Sequence, residues 1–369
     1  MEIEDEDLSY IFRWSNQWIV QFSPSKTKSL VISNKKDSNL NPPVFINDQP
    51  IDEVTSYKYL GLHFTSNLRW NLHIDNITSK AQRRLNLMLA LKWKLDRRSL
   101  EVMYKSLVLS AMEYANLVWG GTFDSDISKL EKIHVEGMRL ITGATARSNI
   151  ANLYDETGFM DIKTKCNNAM LIMMHKIKHN KCPPYLLNLL PPDNQDIHTY
   201  NLRNKNDIIK PSTRLESFKR SFFPHAINLW NNLPLNVRSS PTIDSFKKCI
   251  KWDQNELIML YYYGERWTAV HHSRMRLGCS KLNYDLCYNL HVIDHSNCSC
   301  GAPVEDAHHF LFVCPNYNEI RTVLCNAVLP LCPFTQDTVL FGNNLLSCKD
   351  NVAIFGAVHK YIVDSRRFL

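Results

Sequence analysis

The sequence runs to 369 residues, 44% of them hydrophobic and 11% aromatic, with a formal net charge of +7. That length and apolar content support two or three domains with real cores and exclude a disordered chain, while the basic excess permits nucleic-acid binding without requiring it. The 11 cysteines suit reduced thiols plus a metal site better than a disulfide framework.

The opening, Met1-Glu-Ile-Glu-Asp-Glu-Asp7, is acidic where a secretory signal would be basic and then apolar. No apolar run approaches the length of a membrane span, so an intracellular protein is expected, in cytosol or nucleus. Leu8, Ile11, Phe12 and Trp18 recur at helical spacing, and Ser23-Pro24-Ser25 closes that helix in a turn. Lys28 to Ser33 predicts a strand. Val44-Phe-Ile46, the turn pair Asn47-Asp48 and a return through Ile51 predict a hairpin. Ser56 to Phe64 predicts one further strand, with Gly61 inside it marking a bulge or a close backbone approach.

From His73 the period becomes helical. Ile74, Ile77, Ala81, Leu85 and Met88 form one face of a first helix, and Lys80, Arg83, Arg84, Lys92 and Lys94 decorate the others. A second helix is predicted from Ser99 as N-cap through Tyr114, stopped by Gly120-Gly121. A third runs from Asp124 or Ser125 to Gly143, and a fourth from Asp161 through Ile177. The proline pairs at 183–184 and 191–192 mark a linker. Residues 193–256 are polar and irregular, with Arg203, Lys205, Lys210, Arg214, Lys219 and Arg220 ahead of Phe222, Phe223 and Trp230. Basic side chains interleaved with aromatics can grip a phosphate backbone and stack on bases, or the aromatics can fill a core beneath a solvated cationic face. A second basic patch, His271-His-Ser-Arg274-Met-Arg276, follows, and a last helix is predicted from Val352 to Val363. The fold class is therefore α+β, mainly helical.

Between Cys298 and Cys314 stand three thiols and two imidazoles, Cys298, Cys300, His308, His309 and Cys314. Thiolate and imidazole together suit Zn²⁺, and a closed set of four such ligands is structural, because no position remains for an activated water. One residue separates Cys298 from Cys300 where zinc sites commonly have two to four, so the first two sulfurs must bend to share a tetrahedron. Buried unligated cysteines packed against Phe310 and Phe312 are the competing reading. The sequence carries no P-loop, nucleophile elbow, zinc-protease helix or dinucleotide fingerprint.

The succession Trp14-Ser-Asn-Gln-Trp18, Phe22-Ser-Pro-Ser-Lys26-Thr27-Lys28, Tyr57-Lys-Tyr59-Leu60-Gly61-Leu62 and Leu68-Arg-Trp70-Asn-Leu-His73 resembles the downstream part of the reverse transcriptase of jockey-like non-LTR retrotransposons. So do Tyr200-Asn-Leu-Arg203, Trp230-Asn-Asn-Leu-Pro234, Arg274 through Asn283, the Cys/His stretch and the closing Arg367-Phe368. The resemblance implies a palm remnant over 1–72, a helical thumb over 73–192, a basic and aromatic connection over 193–260, a zinc-knuckle region over 261–330 and a helical tail over 331–369. It makes Lys26 the candidate catalytic general acid, Tyr59 and Gly61 part of a primer-grip hairpin, and Lys80, Arg83, Arg84, Arg203, Arg274 and Arg276 contacts to RNA or DNA. It also favours His309 over His308 as the imidazole ligand, beside Cys298, Cys300 and Cys314.

Polymerases of this kind hold two Mg²⁺ ions on palm carboxylates that include an adjacent aspartate pair. The 369 residues contain no Asp-Asp, and Glu4-Asp5-Glu6-Asp7 lacks the apolar strand residues that would flank one. Mg²⁺ then belongs only to the full-length parent enzyme. The expected function is that of a retroelement RNA-directed DNA polymerase fragment that binds nucleic acid without polymerase activity of its own. A host-retained, non-catalytic nucleic-acid-binding protein, or a decayed element, is the alternative.

Overall fold

Apolar residues recurring every three to four positions make the chain mainly helical, as the computed structural model shows for residues 2–23, 25–33, 43–46, 49–197, 204–250 and 257–369. Helix α1, Glu2–Gln17, displays Tyr10, Ile11, Phe12 and Trp14 to solvent. Among the described residues six short strands follow. β1, Lys28–Ser29, is far shorter than the strand expected from 28 to 33. It pairs in parallel with β4, Asp52–Glu53, after β2, Phe45–Ile46, and β3, Gln49–Pro50, have formed the expected hairpin. Pro24 and the Asn47-Asp48 turn lie outside the described residues.

Residues 56–64 are two strands rather than one. β5, Ser56–Tyr59, folds back on β6, Leu62–Thr65, because Leu60 (φ 48°) and Gly61 (φ 86°) are both left-handed, which reverses the chain in two residues. The expected close approach at Gly61 is real. A Cβ there would lie 3.1 Å from the Tyr114 ring, and the Tyr114 hydroxyl donates to Leu60 O at 2.9 Å, tying the hairpin to the helices.

The helical region starts with α2, Asn71–Leu89, which buries His73, Ile74, Ala81, Leu85 and Met88. α3, Arg97–Met103, is capped by Asp96 and not by Ser99. The Asp96 carboxylate accepts from Ser99 N at 2.6 Å, so Ser99 is the third residue of the helix. A π-helical segment, Tyr104–Leu109, carries the same rod into α4, Ser110–Glu113, and then come α5, Asn116–Trp119, and α6, Asp124–Thr142. Gly143 (φ 78°) ends α6 as expected, with its N–H on Arg139 O at 2.8 Å. Inside α6, Gly137 lets the Tyr104 ring approach to where a Cβ would stand 2.2 Å away. α7, Ile150–Thr157, and α8, Ile162–Lys178, complete this core around Tyr104, Met112, Trp119, Leu130 and Ile141.

Residues 193–197 and 204–250 are more ordered than their composition suggests. After α9, Pro184–Asn188, and α10, Asn194–Ile197, come α11, Glu216–Lys219, α12, Phe222–Asn231, α13, Leu235–Arg238, and α14, Ile243–Cys249, each too short to show a sustained period in sequence. Ala226, Ile227, Trp230 and Phe246 pack on Met170 and Met174 of α8, so that one helix serves two cores. Trp230 is therefore core, and Phe222 and Phe223 lie half-buried against it.

A 3₁₀ segment, Leu257–Tyr262, leads into α15, Arg266–Arg276, which lies between the bundle and the last helices, α16, Asn318–Val328, α17, Gln336–Phe341, and α18, Cys348–Asp364. Their core is Phe310, Phe355, Val358, Tyr361 and Phe368. Arg266 joins the regions by donating to Leu140 O at 2.7 Å and Ile141 O at 2.5 Å, covering the last carbonyls of α6. Among the described residues, no helix is long and apolar enough to cross a membrane.

Candidate metal centre

Cys298 and Cys300 lie on a tight turn in which Cys298 N donates to Ala302 O at 2.9 Å and Gly301 N to Cys298 O at 3.0 Å. Gly301 takes φ 93°, a conformation open to glycine, and this turn is what folds the one-residue spacing into a common site. The other two side chains bracket a π-helical turn, His309–Val313, which His309 opens and Cys314 ends, and whose start is held by Asp306 Oδ1 accepting from His309 N at 2.7 Å. In an α-helix, residues five apart point roughly 140° away from each other. Here Cys314 N bonds His309 O at 2.7 Å, and the wider turn swings His309 and Cys314 to one side.

The four ligand atoms lie within 4.8 Å of one another. Cys298 Sγ is 3.7 Å from Cys314 Sγ, and Cys300 Sγ is 3.3 Å from His309 Nε2. A tetrahedron with ~2.3 Å metal–sulfur bonds has sulfurs ~3.8 Å apart, so the spacing is that of ligands around one ion. The Ala302 N–H holds the Cys300 thiol below its ordinary value. Burial pushes the Cys314 thiol up to about 12 against the N–H of Asn316. A central cation would offset that burial, because it compensates the charge that burial penalises. Cys298, Cys300, His309 and Cys314 could therefore hold a metal ion, whereas His308 is exposed and stacks on Phe312.

The centre is braced by residues far away in sequence. Glu305, 2% exposed, accepts from Asn283 N at 3.0 Å and from Arg367 Nε and Nη2 at 2.7 and 2.6 Å. Phe368 is buried between His271 and Phe310, with ring centroids 4.7 and 5.4 Å away. Arg321 covers the end of the π turn by donating to Leu311 O at 2.9 Å and to Cys314 O. The bracing by Glu305, Asp306 and Arg321 has no sequence signature; Arg367-Phe368 was visible only through the resemblance.

The other candidate residues are scattered. Lys26 is exposed on the turn after α1, and among the described residues no second Cys/His/Asp/Glu cluster is placed to hold a metal. Tyr59 is exposed beside the Leu60-Gly61 turn. Lys80 and Arg83 are exposed on α2, and Arg84 is half-buried with its guanidinium on Leu107 O. Arg203 lies outside the described residues.

The stretch from His271 to Arg276 is not an exposed basic patch. Arg274 donates to Gly143 O at 2.8 Å, and Arg276 is held at Glu156 by Nε at 2.8 Å and Nη2 at 2.7 Å. Arg97 donates to the same carboxylate at 2.6 Å, and Ser273 Oγ at 2.9 Å. Burial pushes the Glu156 carboxyl up, but the two guanidinium groups outweigh that and hold it at about 2. These arginines fasten α15 to the bundle, so their charge is spent inside the protein.

A mainly helical chain with a preformed Cys₃His centre is the class that the fold and the site define. Over 142 residues, 37% of the chain, it is 26% identical to a probable RNA-directed DNA polymerase from transposon X-element of Drosophila melanogaster. Over 142 residues it is 27% identical to the RNA-directed DNA polymerase from mobile element jockey of the same fly, and over 143 residues 25% identical to a probable RNA-directed DNA polymerase from transposon BS. The matched segments make up 15%, 15% and 16% of the X-element, jockey and BS proteins, so the chain corresponds to a small part of each. Its curated homologues are thus RNA-directed DNA polymerases of jockey-like non-LTR retrotransposons. No family model matches the chain. No solved structure matches it either.

Proposed function

We propose that these residues are a reverse-transcriptase-derived segment that holds RNA or DNA through the basic face of α2, acting as a thumb, and through a zinc-loaded knuckle. The observation that carries this reading is the charge of the thumb surface. From Asn76 to Leu95 there are five cations, Lys80, Arg83, Arg84, Lys92 and Lys94, and no carboxylate. The acids on either side are engaged, Asp75 with Lys129 at 2.7 Å and Asp96 as the cap of α3. Such a face attracts a phosphate backbone without selecting sequence.

Zinc at Cys298, Cys300, His309 and Cys314 would fill all four positions, so its role is to hold the knuckle's shape. Lys26 lacks an adjacent aspartate pair in this sequence, and without metal-binding carboxylates there is no activated pyrophosphate for it to protonate. The relatives' polymerase chemistry is accordingly assigned to residues outside this segment.

Fluorescence anisotropy with labelled duplex tests the reading. Binding should weaken steeply with KCl, and the double variant Lys80→Ala/Arg83→Ala should reduce the log–log salt slope by about 2. Salt-independent binding, or a slope unchanged in the variant, would refute the thumb assignment. Native mass spectrometry should show one zinc lost on chelation. Incorporation of dNTPs on a primed template with Mg²⁺ would overturn the expectation of inactivity.

A further inference from the structure

The turn that follows α2 carries an indole, Trp93, between two lysines. Trp93 is 53% exposed, and Leu87, in the last turn of α2 ahead of it, is 73% exposed. An exposed indole offers a flat π face on which a ligand can stack. The turn is built and not loose. Leu91 N bonds Met88 O at 2.9 Å, Lys94 N bonds Leu91 O at 2.9 Å, and Arg266, whose other nitrogens cover the end of α6, donates from Nε to Lys92 O at 3.0 Å. Three segments distant in sequence therefore hold the backbone that presents the indole.

What docks there is indicated by charge. Lys92 and Lys94 flank Trp93 in sequence, Lys92 Nζ lies 6.0 Å from the ring centroid, and no carboxylate occurs in sequence between Asp75 and Asp96. An apolar or acidic peptide would fill only half of such a site. A nucleotide supplies both halves, a flat π surface for the indole and a phosphate for the flanking ammonium groups. Lys80, Arg83 and Leu87 occupy one face of α2 over roughly 10 Å, leading toward the turn.

We infer that Trp93 is a stacking platform for an unpaired base, so that the ligand of this surface is a duplex with a single-stranded extension. A duplex backbone lies along the cations of α2, and its first unpaired base stacks on Trp93. This rests on the proposed nucleic-acid function and narrows it to a junction. Every base has a π face, so RNA and DNA extensions both qualify.

The test compares wild type, Trp93→Ala and Trp93→Phe by anisotropy on three probes: a blunt duplex, the same duplex with a four-nucleotide RNA or DNA overhang, and that overhang with its first nucleotide abasic. Wild type should prefer the overhang. Trp93→Ala should weaken overhang binding about tenfold, Trp93→Phe should restore most of it, and the abasic probe should reproduce the loss with wild-type protein. The salt slope and blunt-duplex binding should stay unchanged. Equal weakening on blunt and overhanging probes, or no change on either, overturns the platform while leaving the thumb assignment standing. Failure of wild type to bind any probe overturns both.

Discussion

Glu156 is the carboxylate on which the union of the bundle and the region carrying the Cys/His cluster turns, and Glu156→Gln is the substitution that exposes its role. The change keeps the shape of the side chain and removes its charge. It leaves the guanidinium groups of Arg97 and Arg276, both 3% exposed, facing a neutral amide. Two routes give the size of the effect. Breaking a buried ion pair by removing one partner costs about 3–5 kcal/mol, because the remaining charge stays desolvated and uncompensated. Independently, a carboxyl held at about 2 against an ordinary 4.5 favours the folded state by about 3 kcal/mol above pH 5, at 1.36 kcal/mol per pH unit. Urea unfolding at pH 7, followed by tryptophan fluorescence, should show a loss of about 3–5 kcal/mol in Glu156→Gln. Replacing the whole cluster by apolar residues, Arg97→Met, Glu156→Leu and Arg276→Met together, should recover most of it, since no charge then remains buried. A loss below about 1 kcal/mol in Glu156→Gln would refute the claim that this ion cluster fastens the two regions.

The same linkage predicts acid sensitivity with a definite onset. Burial lowers His73, His271 and His359 to about 4 and His134 to about 3, and holds His272 well below its ordinary value, so the unfolded chain binds more protons than the folded one once the pH drops below 6.5. Stability should be full above pH 7 and fall steadily from 6.5 toward 4, with the Glu156 contribution lost last, between about 5 and 2; a melting temperature unchanged between pH 7 and 5 would contradict this. At the centre, Arg367→Ala removes both guanidinium donors from buried Glu305 and leaves the Asn283 N–H, and should lower the melting temperature and, in zinc-loaded protein, speed metal loss to a chelator; unchanged release would mean that the bracing does not reach the ligands.

What the sequence alone determined is what neighbouring residues decide together. The boundaries of α6 follow from Asp124, a 3.6-residue apolar period and Gly143, all within 20 positions. The Cys/His cluster was legible because five thiol and imidazole side chains stand within 17 residues, while the preference for His309 over His308 came from the resemblance. The tertiary structure decided the rest, because the forces there act between residues that the sequence keeps apart. Gly61 became a hairpin turn once β5 found β6, and Ala226, Ile227, Trp230 and Phe246 became core once they met α8. Arg276 left the surface because its carboxylate, 120 positions earlier, lies where a guanidinium can be buried in company with Arg97. Periodicity sees a cation at a position; only the assembled fold shows whether that cation faces water or an anion inside it.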